Sequence, residues 1–426
     1  MNKINIITGA VVAAAAFLTV GCAEEDNPSI DDYPWNYEIT EVKATENIPV
    51  GMLLYNPSNV WTNQTVKDCI SDPYEPENGK IGPYVRISAG EYEFYGAEKE
   101  YEQEYADALA NILANYRKAK VDFIIPPNIG ANPGSLYPNN IGRNDTIMLN
   151  MILGKADTLL TNDGSVKMAM RIDLNNFTSQ FNANNNNSLL ENARPKTVYD
   201  KDGQPIEIQP MDAFYNWFRR LSWYFNEPNY FHFNGRPVLI LEQANKLYTE
   251  NPREVYDNIR SAIKHEVGKD VYLIVRQEQW TPPARWEYFW IQGHVDAVSP
   301  RNLTNLGGGT GWDRSVWYNV FINEHMKVNR EYYAQRGINY VPSVSPTYYQ
   351  YVWSQNYNHP IIRHNVDDFR VRCWSAKMQL GTEKMVIIDA YNEWMFGNAV
   401  EPTDEDYGFG WGDKFLLAIA DEFKVK

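Results

Sequence analysis

The chain has 426 residues, 44% hydrophobic and 22% charged, a globular balance that excludes a disordered, fibrous or polytopic membrane protein. Its 39 Lys and Arg against 54 Asp and Glu leave a net charge of −15, which argues against a polyanion binder, since phosphate contacts need clustered cations. Nucleic acid is therefore not an expected partner. The 13 Trp, 29 Tyr and 17 Phe supply flat amphipathic rings that build cores and can also carry the apolar C–H face of a sugar.

In chain order, Met1-Asn2-Lys3 is a short basic start, and the run from Ile6 to Val20 is mostly apolar. It is too short for a stable membrane span and reads as a secretory signal. Gly21-Cys22 resembles a bacterial lipoprotein lipobox, which implies a lipid on Cys22 and an outer-membrane location. Glu24-Glu25-Asp26 resembles the surface-export signal of Bacteroidetes lipoproteins. Residues 23–47 are acidic, carry Pro28 and Pro34, and are expected to form a tether. The other cysteines, Cys69 and Cys373, allow one disulfide or two buried thiols. With no CxxC pair and no Cys/His cluster, neither a zinc site nor a cofactor is expected.

From there, short apolar runs alternate with helical patterns. Strands are expected over 48–55, 121–126, 167–173, 237–242, 271–276, 295–299, 340–345 and 385–389. Helices are expected over 97–119, 211–225, 252–267, 313–335 and 366–380, with a last one over 411–422. In the first helix Ala106, Leu109, Ala110, Leu113 and Tyr116 form one apolar stripe. The polar stretch from Asn184 to Pro210 reads as a long rim insertion. Eight strands alternating with helices predict one α/β domain over 48–426, a single (β/α)₈ TIM barrel. The alternative is a doubly wound open sheet. That fold wants a Gly-rich turn after its first strand, where Val50-Gly51-Met52 leads instead into Asn56-Pro57. Gly307-Gly308-Gly309 has the look of a loop rather than a phosphate cradle, because no Lys-Ser/Thr follows it.

A barrel builds its site at the C-terminal ends of its strands. Those positions hold Tyr55-Asn56, Asn128, Asp173, Glu242, Arg276-Gln277-Glu278, Ser299 to Arg301, Ser345 to Thr347 and Asp389 to Glu393. Acids, amides, aromatics and arginines suit a hydroxyl-rich ligand, which needs donors and acceptors together. For Asp173, Glu242 and Glu278 a sugar contact competes with an ordinary structural ion pair. The densest local signal is an apolar strand, Met385 to Ile388, running into Asp389, then Asn392-Glu393-Trp394, a turn at Gly397, and Glu401-Pro402.

This segment resembles the last barrel strand of glycoside hydrolase family 99 and of the related WbsX-like proteins, which carry Asn-Glu-Trp-x-Glu-Gly followed by Glu-Pro. Phe233-Asn234-Gly235-Arg236-Pro237, Asp296-Ala297-Val298-Ser299 and Val341 to Pro346 resemble earlier strands of the same families, in the same order. The resemblance covers about 231–402 and implies a (β/α)₈ barrel that cleaves α-mannosides internally with retention. It also implies that the first motif Glu, here Glu393, acts as a base toward the sugar 2-hydroxyl. The family's second Glu, its general acid, falls on Phe396, which cannot transfer a proton.

Three readings follow. Another carboxyl supplies the acid, with Asp389, Glu401, Glu242 and Glu278 as candidates; or the cleft binds glycan without cleaving it; or the motif reflects barrel architecture alone. The sequence-based expectation is a surface lipoprotein acting on polysaccharide or glycan, with Glu393 and Asp389 catalytic. Glu242, Glu278, Asp173, Asn392, Trp394, Glu401 and Tyr55 are expected around the substrate. Asn392 also reads as a turn residue, and Trp394 as core or sugar platform. Neighbouring glycan-import proteins are the other expected partners. The non-enzyme alternative captures glycan for such a system.

Overall fold

The computed structural model describes residues 37–55, 102–129, 143–160, 162–174, 190–192, 195–199, 202–247, 249–277, 294–301, 315–348, 364–394, 398–406, 408 and 410–425. Contacts divide the chain into Met1–Glu38 and a compact unit, Ile39–Lys426. Cys22, Cys69, Glu278, Phe396 and the Gly307 to Gly309 run lie outside the described residues.

Eight parallel strands close into a ring. They are β1 (Val50–Leu53), β2 (Phe123–Ile125), β3 (Lys167–Met168 continuing as Met170–Asp173) and β4 (Arg236–Glu242). The circuit continues through β5 (Tyr272–Gln277), β6 (Ala297–Pro300), β7 (Asn339–Tyr340 continuing as Ser343–Val344) and β8 (Val386–Ile388). Register runs Met52↔Ile124, Ile124↔Met168, Asp173↔Glu242, Ile240↔Ile274, Val298↔Tyr340 and Val344↔Ile388. Ser299↔Arg276 joins β6 to β5, and Gly51↔Ile387 brings β8 back to β1. The ring passes through the single-residue break at Ala169, whose N–H bonds Ile124 O at 3.0 Å, and through Val341, whose N–H bonds Val298 O at 3.0 Å. The fold is a (β/α)₈ barrel, and the open-sheet alternative falls away because each of the eight ring strands described pairs with a neighbour on both sides.

Helices α1 (Glu102–Lys118), α2 (Arg143–Leu153), α3 (Pro210–Leu221), α4 (Pro252–Val267), α5 (Ser315–Ala334), α6 (Val366–Met378) and α7 (Lys414–Phe423) follow every strand but β5. Beyond β5 the connection lies outside the described residues. Their signals are local. Glu102 and Glu104 open α1 and Arg117 and Lys118 close it, matching the helix dipole. Asn365 caps α6 by accepting from the N–H groups of Asp367 and Asp368 at 2.9 and 3.1 Å. The expected α1 stripe faces the barrel: Ala106, Leu109, Leu113 and Tyr116 are buried.

Two elements differ from expectation. Helix α2 was not anticipated, and the 184–210 insertion is not irregular throughout. Within it Lys196–Tyr199 and Pro205–Ile208 pair as an antiparallel hairpin. Cys373 is a buried free thiol on α6, of the two expected arrangements the unbridged one.

The strands' period of two sorts their side chains into two cores. Met52, Ile124, Met168, Leu239, Leu241, Leu273, Val275 and Val298 point outward under the helices. Leu53, Phe123, Ala169, Val238, Ile240, Ile274, Ala297, Val341 and Ile387 fill the lumen. Phe123 and Phe231 stack there with centroids 4.0 Å apart. Gly51 is in phase with this inner set, and a Cβ on it would meet the Phe123 ring at 2.3 Å. Gly51→Ala is therefore expected to cost about 1–3 kcal/mol through overpacking, measured as a lower urea midpoint.

Candidate functional site

The same period of two carries each strand from apolar lumen to charged mouth. On β4 the inward series Val238, Ile240 ends in Glu242; on β5 Tyr272 and Ile274 end in Arg276. In the same phase β3 gives Ala169, Arg171 and Asp173, and β6 gives Ala297, Ser299 and then Arg301. On β7 Val341 precedes Ser343, and on β8 Met385 and Ile387 precede Asp389. Five strand ends, those of β3, β4, β5, β6 and β8, thus aim ionisable groups into one volume, and the hairpin after β8, which pairs Asn392–Glu393 with Asn398–Ala399, adds Glu393.

Those groups alternate in sign. Arg276, with no exposed surface, donates from Nε to Glu242 Oε2 at 3.2 Å and from Nη2 to Asp389 Oδ2 at 2.6 Å. Its Nη1 reaches Ser299 Oγ at 3.4 Å, and Ser343 Oγ donates to Asp389 Oδ2 at 3.1 Å. Arg301 has its Nε 3.7 Å from Asp389 Oδ2, and its Nη2 donates to Glu393 Oε2 at 2.7 Å. Asn398 Nδ2 adds a second donor to that oxygen at 3.2 Å, across the hairpin that pairs Glu393 with Asn398. The order across the mouth is Glu242, Arg276, Asp389, Arg301, Glu393. Arg171 stands beside it, 4.0 Å from Glu242 and with its guanidinium carbon 5.2 Å from the centre of the Tyr55 ring.

Burial alone would raise the Asp389 carboxyl, but Arg276 and Arg301 overcome it and hold that carboxyl below its usual range. Arg301 is pushed well above its usual value, burial being outweighed by the carboxylates of Glu393 and Asp389. Burial raises the Tyr55 phenol, which stays neutral. Carboxylates paired in this way accept hydrogen bonds, take protons or stabilise developing positive charge. They are not set up to donate a proton. Five deeply buried polar atoms in the cluster have no hydrogen-bond partner among the described residues: Glu242 Oε1, Asp389 Oδ1, Asn398 Oδ1, Arg171 Nε and Arg301 Nε.

The sequence-predicted residues divide accordingly. Asp389, Glu393, Glu242 and Tyr55 meet at the mouth. Asp173 pairs with Glu242 in register, and its carboxylate accepts from Gln243 Nε2 at 3.1 Å. Asn392 behaves as a turn residue: its Oδ1 accepts the Tyr55 N–H at 2.8 Å and its Nδ2 donates to Tyr55 O at 3.2 Å. Trp394 is core rather than platform, 1% exposed and stacked on Trp411 at 5.8 Å. Glu401 departs from expectation as well. Its Oε2 accepts from Trp394 Nε1 at 2.8 Å, so the carboxyl sits in the layer between barrel and helices, bonded to the outward side of the hairpin. Sequence reasoning had placed Arg276 and Arg301 at strand ends without giving them a role, and had passed over Arg171. The signal was their phase: an arginine in register with a lumen series must find carboxylates there.

Comparison with known proteins places this arrangement. The family described as "Glycosyltransferase WbsX" matches residues 208–419. Over that stretch, just under half of its length, the chain is similar to this family. The match takes in β4 to β8 and therefore Glu242, Arg276, Arg301, Asp389 and Glu393. Among solved structures, a "Glycoside hydrolase-like protein" is 19% identical with a TM-score of 0.69, over 92% of this chain and 98% of its own. The family 99 endo-alpha-mannosidase from Bacteroides thetaiotaomicron is 13% identical with a TM-score of 0.50, over 88% of this chain and 96% of its own. At such identities the likeness is one of fold. No curated protein matches the chain.

Two expectations follow, one from the mouth and one from Glu401 behind it. Arg276→Met strands Asp389 and Glu242 in a dry site and should destabilise the barrel by about 3–5 kcal/mol in urea titrations at pH 7. Glu401 behaves oppositely to Asp389, since burial pushes its carboxyl up to about 7. Between its ordinary value and about 7 the folded state then holds the proton more tightly than the unfolded chain, so stability falls as pH rises through that window. Glu401→Gln removes this loss, and its melting temperature relative to the parent should be higher at pH 8 than at pH 5.

Proposed function

We propose that the barrel mouth binds a glycan and cleaves its glycosidic bond, with Glu393 as the catalytic carboxylate, Asp389 as its partner, and the proton for the leaving oxygen coming from Glu278, the strand-end candidate that lies outside the described residues. The single observation behind this reading is the alternating chain from Glu242 to Glu393, which has buried donors and acceptors in and beside it that find no partner among the described residues. Sugar hydroxyls are donor and acceptor at once and match such a set. The three arginines Arg171, Arg276 and Arg301 face the four carboxylates Asp173, Glu242, Asp389 and Glu393, a balance that suits a neutral sugar and the positive charge of an oxocarbenium-like transition state. An α-mannoside is the first substrate to test, because the family 99 protein of similar fold is an endo-alpha-mannosidase. The sequence adds the setting: a lipid on Cys22, an acidic tether and an outer-membrane surface location beside glycan-import proteins.

A second reading has a specific observation in its favour. Every described carboxylate of the Glu242 to Glu393 chain is paired with arginine, so none of them is placed to protonate a leaving group. That suits a lipoprotein that captures glycan without cutting it. The two readings separate on incubation of the chain from Ala23 onward with α-mannan, β-glucan and host N-glycans, scoring both released and transferred sugars. Cleavage that falls by about 10²–10⁴ in Glu393→Gln supports the enzyme. Retained binding with no product from any glycan supports capture.

A further inference from the structure

The flank of the barrel holds a second cleft, of about 750 Å³, between α1 and α7. That volume lies within the range of small-molecule sites, roughly 300–1,000 Å³. Its α1 wall is the stripe Asn111, Ala114, Asn115 and Lys118, at spacings of three, one and three, hence one helix face. The opposite wall includes Lys414 and Leu417 of α7, the leucine half exposed. Pro402 and Glu401 line it from the segment after the mouth hairpin.

We propose that this cleft is a binding site for a short neutral oligosaccharide, separate from the mouth. Charge selects the ligand class. Lys118 pairs with Asp413 at 2.6 Å and Lys414 with Glu405 at 3.6 Å, so among the described residues each lysine of the cleft already has a carboxylate and none is a bare cation for a phosphate or sulfate. No group of His, Cys, Asp and Glu able to hold a metal occurs among the described residues. What remains is a mixture of amides and small apolar surfaces. Leu417, Pro402 and Ala114 offer contact to sugar C–H faces, and Asn111 and Asn115 offer amide donors and acceptors. Asn115 is oriented by donating to Tyr391 Oη at 2.8 Å. Glu401, which also lines the cleft, keeps Oε1 buried and without a partner among the described residues.

The site does not rest on the chemistry proposed for the mouth, and one titration series distinguishes them. Mannopentaose, cellopentaose and laminaripentaose are titrated calorimetrically into the protein, into Glu393→Gln, and into two flank variants, Ala114→Trp and Leu417→Glu. Both flank positions are solvent-facing, and circular dichroism checks their folding. The expected result is a class of binding that survives Glu393→Gln and weakens at least about tenfold in both flank variants. Binding that Glu393→Gln abolishes and the flank variants leave unchanged overturns the flank site, as does the absence of binding by all three sugars. Flank binding without any cleavage or binding at the mouth leaves this site standing and removes the mouth reading.

Discussion

The guanidinium of Arg276 is the constraint around which the mouth is arranged. It has no exposed surface, and a charge removed from water at that depth is tolerated only with close countercharges and satisfied donors. Glu242 on the neighbouring strand and Asp389 at the end of β8 provide them, with Ser299 taking the third donor. Asp389 in turn lies beside Arg301, and Arg301 fixes Glu393. Each member is buried because its neighbour neutralises it. The carboxylates that carry the proposed chemistry are therefore held in place by the interactions that let the lumen end in charge at all.

Beneath this layer the barrel is an ordinary apolar packing problem. Phe123, Phe231, Ile240, Ile274 and Ile387 pack together in the lumen beneath the mouth. The transition from isoleucine to arginine takes place within two residues on β5, Ile274 to Arg276. That abruptness leaves polar atoms such as Asp389 Oδ1 and Arg301 Nε against a dry floor, where a hydrogen bond is electrostatically strong and an unmade one is costly.

Much of the barrel was legible because buried parallel strands read as short apolar runs, and all eight fall where such runs occur. Helix α2 was hidden by its polar opening, Arg143-Asn144-Asp145-Thr146, which follows a segment rich in Gly, Pro and Asn. The hairpin inside the 184–210 insertion was hidden because its residues, Lys196 to Tyr199 and Pro205 to Ile208, lack the sustained apolar character of the barrel strands. At the site, Asp389, Glu393 and Glu242 could be found from strand-end position. The facing of Trp394 and Glu401 could not, because the hairpin between Asn392 and Ala399 turns successive side chains to opposite sides, Glu393 toward Arg301 and Trp394 toward Trp411. Nor does sequence spacing reveal that Asn392 is bonded to Tyr55, 337 positions away.

That last bond bears on the order in which the protein can become itself. Asn392 ties the hairpin after β8 to the residues following β1, so the first and last strands of the ring are stitched together at the mouth as well as along their edges. Until β8 arrives, Arg276 has Glu242 but not Asp389, and Arg301 has neither Asp389 nor Glu393. A chain elongated only as far as β7 therefore has unmatched guanidinium groups where its lumen should close, and repulsion opposes premature sealing. Docking of β8 completes the ring, the charge balance and the proposed reactive carboxylates in one step, so a truncated or half-folded barrel has no partly working mouth.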